Sequence, residues 1–172
     1  MKKLKGFILI PVLLLVTLAV ANWPRKPMPA EMIADQVIVE KRAHKLVLLR
    51  KSVPLKTYHI ALGRGGIDDK TCEGDNRTPE GIYTIDSRNA QSRFYRSLHV
   101  SYPDARHIAG ARQLGCNAGG AIMVHGIPKK LGWLGKLHRL IDWTAGCIAV
   151  TNEEIDEIWR AVPNGTPIVI QP

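Results

Sequence analysis

The sequence predicts a mainly β domain (α+β) with two or three short helices. Three observations predict it. Short β-branched or apolar runs recur at close spacing from residue 36 onward, glycine and proline clusters punctuate them, and only three segments are helix-like. Val37-Ile38-Val39-Glu40 and Lys45-Leu46-Val47-Leu48-Leu49 give two strands, and Thr57 to Leu62 a third, ended by Gly63, Gly65 and Gly66. Their short connections make an antiparallel meander. Asp68 to Pro79 is polar and turn-rich, hence a loop. Gly81 to Ile85 alternates as a strand does, and Leu98 to Tyr102 is another, closed by Pro103. Asp104 to Arg112 fits a short helix ending near Gly115. Gly119-Gly120 then precede Ala121-Ile122-Met123-Val124, an apolar run short enough for a buried strand that delivers His125 to its end. Leu131, Leu134, Leu137, His138 and Ile141 stand at helical spacing, weakened by Gly132 and Gly135. Cys147 to Val150 is a strand. Thr151-Asn152-Glu153-Glu154 has the form of a capping box and opens a helix with Ile155, Ile158, Trp159 and Val162 on one face. Pro163-Asn164-Gly165 stops it, and Thr166 to Ile170 is the last strand.

The 172 residues suffice for one domain with a core. Residues 1–21 have the pattern of a secretory signal peptide: basic Lys2, Lys3 and Lys5, an apolar run from Gly6, and small residues at Ala19 and Ala21. The run is shorter than the ~20 residues of an ordinary membrane span, and Pro11 interrupts it. Cleavage and an uncleaved N-terminal anchor, with membrane attachment through this segment, are the two alternatives. Residues 22–35, with three prolines, read as a linker, and residues 36–172 as the functional domain. Either alternative makes the protein exported, to a periplasm or cell envelope. The formal charge is +9; without Lys2, Lys3 and Lys5, 21 basic residues face 15 acidic ones, a charge of +6. Such a protein is drawn to anionic surfaces such as cell wall or membrane. Export and the scattering of its basic residues exclude nucleic acid as the partner.

Chemistry concentrates at Thr144-Ala145-Gly146-Cys147, preceded by His125-Gly126. A free cysteine is only a few per cent thiolate at neutral pH, and a neighbouring histidine can take its proton. A glycine before the cysteine lets a substrate approach the backbone, and the amides around Gly146 and Cys147 could bind a developing oxyanion. Thr144 either caps this turn or takes part in catalysis. His138 competes with His125 as the base, from an intervening helical segment; Asp142 either orients a histidine or serves a turn. The other four histidines have structural surroundings in the sequence. Export permits disulfides, and three cysteines leave one over. A Cys72–Cys116 bridge with Cys147 reduced, and three free thiols, are both compatible with the sequence. No CxxC or HxxxH spacing exists among these residues, so no metal is expected.

His125-Gly126 followed by Thr144-x-Gly146-Cys147 resembles the signature of the L,D-transpeptidase catalytic domain family. Thr78-Pro79-Glu80-Gly81 and the opening meander resemble further parts of it, and the resemblance runs from about Gln36 to Gln171. It implies a β-sandwich-like fold, Cys147 as nucleophile, His125 as general base, turn amides near Gly146 as the oxyanion site, and Gly126 beside the substrate. It further implies peptidoglycan stem peptides as partners, no cofactor, and acylation by carbapenems. Many members carry an arginine two residues after the cysteine; here that residue is Ala149. Branches sharing this absence are associated with cleaving links rather than making them. The alternatives are a carboxypeptidase or amidase on the same scaffold, and a non-catalytic wall-binding module.

Overall fold

The computed structural model describes residues 2–24 and 26–172, with side chains described from residue 10 onward. In chain order the elements are α1 (Lys2–Ala21), β1 (Gln36–Glu40), β2 (Lys45–Arg50), β3 (Val53–His59), β4 (Gly81–Ser92), β5 (Tyr95–Val100), α2 (Ala105–Gln113), β6 (Met123–His125), a 3₁₀ segment (Lys129–Leu140), β7 (Ile148–Ala149), α3 (Asn152–Ala161) and β8 (Pro167–Gln171).

All eight strands belong to one mixed sheet in the order β3-β2-β1-β8-β4-β5-β6-β7. The β1-β2-β3 meander is antiparallel, as expected. Two pairings are parallel, β1 with β8 and β6 with β7. β4 spans both halves of the sheet: Gly81 to Thr84 pair with β8, and Ile85 to Ser92 with β5. Residues just beyond β3 then reach the opposite edge. Ala61 exchanges backbone hydrogen bonds with Ala149 at 2.9 and 2.8 Å, and Arg64 N donates to Thr144 O at 3.0 Å. The sandwich-like expectation is thus realised as a sheet folded back until its edges meet. This explains why the apolar run 57–62 extends past β3: Ile60, Ala61 and Leu62 are all buried where the edges join.

The core is built from alternating strand residues, Val37 and Val39, Leu46 and Leu48, Ile168 and Ile170, against Ile155, Ile158 and Ala161 of α3. The capping box forms as expected: Glu154 N donates to Thr151 Oγ1, and Thr151 N to the Glu154 carboxylate. Asp104 caps α2. The segment expected as a helix over 131–141 is 3₁₀ instead, broken at Gly135 where φ is +49°. Spacing by threes places Leu131, Leu134 and Leu137 on one line of a three-residue turn, so 3₁₀ geometry satisfies them directly. Within the expected linker, Met28 and Ala34 are buried in the core. Among the described residues no helix is long and apolar enough to cross a membrane. Residues 1–9, which include the basic part of the expected leader, lie outside the described side chains.

Candidate active site

The turn before β7 is closed by one hydroxyl. Thr144 Oγ1 accepts from Gly146 N at 3.1 Å and donates to Cys147 O at 2.7 Å. Thr144 is therefore a turn-closing residue. The Gly146 amide is occupied by Thr144. Gly146 has φ +120°, and a Cβ there would stand 2.6 Å from the Arg77 carbonyl oxygen. The loop 68–79 presses on the turn from behind. Its hub is Asp75, whose carboxylate accepts from Lys70 Nζ and from the amides of Thr71, Cys72 and Arg77. Those donors hold its carboxyl down to about 2, against the opposing effect of burial. A Cys72–Cys116 disulfide ties this loop to the chain leading into Ala121, and Cys147 is free. Of the two alternatives left by the cysteine count, the structure contains the bridge. Thr78, from the Thr-Pro-x-Gly segment, accepts from Gly63 N through its hydroxyl at 3.0 Å.

β6 and β7 run parallel, with Val124 opposite Ile148 and His125 opposite Ala149, so the strand end carrying His125 lies beside the end of the short strand that follows Cys147. His125 Nδ1 lies 2.6 Å from Gly126 O. A carbonyl only accepts, so Nδ1 holds the ring proton and Nε2 carries the free lone pair. The ring is buried, stacked on Phe94 at 4.4 Å and edge-on to Trp143 at 5.7 Å. Burial lowers its pKa to about 4, with the Arg93 charge adding to the effect and the Gly126 hydrogen bond opposing it. Burial pushes the Cys147 thiol up, opposed by the Met123 backbone, Arg93 and Lys70. At neutral pH the resting pair is therefore thiol and neutral imidazole, not a preformed ion pair. The thiol donates to the Ala121 carbonyl at 3.5 Å.

Both side chains line one open cleft of about 680 Å³, whose walls include Arg64, Arg93, Phe94, Ala121, Met123 and Trp143. Phe94, Trp143 and the two arginines were not legible as site residues: Phe94, Arg64 and Arg93 lie on distant segments, and Trp143, although it adjoins Thr144, is marked by no motif. Gly126, expected beside the substrate, instead packs against Asn152, Ile155 and the Phe94 carbonyl, where a Cβ would stand 2.6 Å from Asn152 Oδ1. Its contribution is to orient His125. His138, the rival base, is turned away. It lines a separate apolar groove, and its Nδ1 accepts from Trp143 Nε1 at 3.3 Å. Trp143 contacts both His138 and His125. Asp142 orients a histidine, but the partner is His44, at 3.0 Å. His99 and His107 pair with Asp86 and with Asp69 and Asp104.

Two of the buried histidines, His125 and His138, have pKa values lowered by burial, so the fold is expected to be acid-labile. Burial lowers His138 to about 3, with Arg139 and His125 adding to the effect, against an ordinary value of 6.5. Between pH 6.5 and these values the unfolded chain binds more protons than the folded one. Their contribution is complete above pH 6.5 and falls as pH drops, by up to about 1.4 kcal/mol per pH unit for each ring. Thermal melts between pH 7.5 and 4.5 check this: the melting temperature falls with pH, and falls less in His138→Gln.

A free thiol and a buried imidazole thus line one open cleft of a folded-back sheet. The chain belongs to the L,D-transpeptidase catalytic domain family, whose profile matches residues 34–170. YqjB of Bacillus subtilis (strain 168), provisionally named an L,D-transpeptidase, is 26% identical over 154 residues, 86% of this chain and 77% of its own. YafK of Escherichia coli (strain K12), named likewise, is 29% identical over 110 residues, 63% of this chain and 37% of its own. The chain therefore corresponds to well under half of YafK. Among solved structures, Pgp2 of Campylobacter jejuni, described as a helical cell shape determining protein, matches with a TM-score of 0.61 at 20% identity, over 82% of this chain and 48% of its own. Bd1075 of Bdellovibrio bacteriovorus matches at 0.55 and 23% identity, over 85% and 51%. These likenesses show the fold, a mixed sheet with a few helices.

Proposed function

We propose that this protein is an exported cysteine acyltransferase acting on peptidoglycan stem peptides. The observation that carries it is that Cys147 and a histidine whose tautomer is fixed by Gly126 O line the same cleft. The S–H proton turns from the Ala121 carbonyl to His125 Nε2 as the sulfur attacks the carbonyl carbon between the diamino acid and the terminal D-alanine of a tetrapeptide. The oxyanion formed accepts from the Cys147 amide. Collapse breaks the C–N bond, His125 returns the proton to the departing D-alanine amine, and a thioester remains. An amine of a second stem attacks the thioester and gives its proton to His125, which passes it to the departing Cys147 sulfur, restoring thiol and neutral imidazole. Neutral resting groups suit this sequence, since the base must be unprotonated before attack. Export, as residues 1–21 suggest, takes the protein to the envelope where such peptides are found, and the exposed apolar residues of α1, Leu13 to Val16, fit a leader or an anchor.

The hydrolase alternative needs only water in place of the amine, and Ala149 in place of the family arginine favours it. Purified tetrapeptide incubated with and without an amine acceptor separates the two. Cross-linked product that increases with acceptor is expected; release of D-alanine with no cross-link at any acceptor concentration makes the protein a carboxypeptidase. Binding to sacculi without release of any product identifies a wall-binding module.

A further inference from the structure

The charge in the cleft points to a particular substrate group. Two guanidiniums, Arg64 and Arg93, line it, and no aspartate or glutamate does. Four arginines elsewhere are ion-paired, Arg77 with Asp68, Arg96 with Asp156, Arg106 with Asp69 and Arg139 with Glu154. Among the described residues no ion pair engages Arg64 or Arg93. They approach from different segments. Arg93 lies in the turn between β4 and β5, its guanidinium 4.7 Å from the centre of the Phe94 ring that itself stacks on His125. Arg64 follows Gly63, and its amide is held by the Thr144 carbonyl in the Cys147 turn. Ala149, where many relatives have arginine, is fully buried with its backbone bonded to Ala61. The cleft therefore obtains its cationic groups from the two rims rather than from the strand after the cysteine.

We propose that Arg93, assisted by Arg64, forms a carboxylate-binding subsite beside Cys147 that selects donor peptides with a free C-terminal carboxylate. This rests on the acyl-transfer function above. A guanidinium offers a carboxylate two parallel N–H donors, which a peptide amide terminus cannot match. The Arg93 charge also bears on both His125 and Cys147, so the subsite lies close to the reacting atoms.

Two assays decide it. The first compares tetrapeptide ending in the free acid with its C-terminal amide, in the parent, Arg93→Gln and Arg93→Lys. The parent prefers the acid by on the order of tenfold or more in kcat/KM, the scale of one hydrogen bond to a charged group. The preference falls toward unity in Arg93→Gln and is partly restored in Arg93→Lys. A parent without preference, or an undiminished preference in Arg93→Gln, overturns the proposal. The second assay needs no peptide turnover. Cys147 is alkylated with iodoacetate and with iodoacetamide, and the ratio of rates is taken. The ratio falls in Arg93→Gln, and falls further when Arg64→Gln is added. An unchanged ratio overturns the proposal. If the parent turns over neither peptide, the acyl-transfer function fails, and the alkylation ratio alone decides whether the anion subsite exists.

Discussion

Replacing His125 with alanine is expected to slow iodoacetamide labelling of Cys147 at pH 7 and to cut turnover by about 10²-fold or more, the range for a positioned general base. The thiol is held up by burial, so few molecules carry a thiolate at neutral pH without help. The help comes from an imidazole that is itself neutral, because the stack on Phe94 and the enclosing Trp143 exclude water from it. In the variant, labelling follows the thiol's own ionisation and recovers only as pH rises. A pH series of labelling rates in parent and variant measures this. Equal rates at pH 7 would remove His125 from the mechanism. His138→Gln serves as the control, because His138 lines the apolar groove and not the cleft.

The second large effect is expected from Gly146→Ala. A φ of +120° is a conformation that L side chains rarely adopt. The added methyl would also meet the Arg77 carbonyl oxygen at 2.6 Å and Ile122 Cδ1 at 3.2 Å. The first contact is with backbone held by the Asp75 hub, so it does not yield easily. Strain and displacement together cost about 3 kcal/mol or more, roughly 6–12 °C in melting temperature for a chain of this size. The movement is absorbed by the turn that carries Cys147, so activity is lost at temperatures where the fold persists. Gly110→Ala is the comparison: nothing lies within 4 Å of its added methyl, and in the middle of α2 it raises stability by about 0.5–1 kcal/mol. A Gly146→Ala protein that melts and reacts as the parent does contradicts this account of the turn.

What could be read from the sequence was whatever depends on neighbours in the chain. The meander, the capping box at Thr151, the short helix after Asp104 and the strand ending at His125 each follow from a few adjacent residues, and each is present. What could not be read depends on distant segments. The parallel pairing of β1 with β8 joins the two ends of the domain, and no pattern in Val37 to Val39 names Ile168 to Ile170 as the partner. The bend of β4 and the closure of Ala61 on Ala149 are of the same kind. At the site, Cys147 and His125 carried a local signal, whereas Arg64, Arg93 and Phe94 are ordinary residues until the sheet folds back and gathers them beside Trp143. Gly126 was legible as important but not in its role: its carbonyl fixes the His125 tautomer while its face is packed against α3. The 3₁₀ segment differed from expectation because glycines at 132 and 135 weaken an α-helix, while the leucine spacing by threes suits the tighter one.

Intact-protein mass spectrometry with a carbapenem, on the parent and on Cys147→Ala, tests the central claim most directly, because it asks only whether this thiol is an acylable nucleophile in this cleft. One adduct of the inhibitor's mass on the parent, absent from Cys147→Ala, is the predicted result. No adduct on folded parent with its thiol reduced, or an adduct that persists in Cys147→Ala, would contradict it.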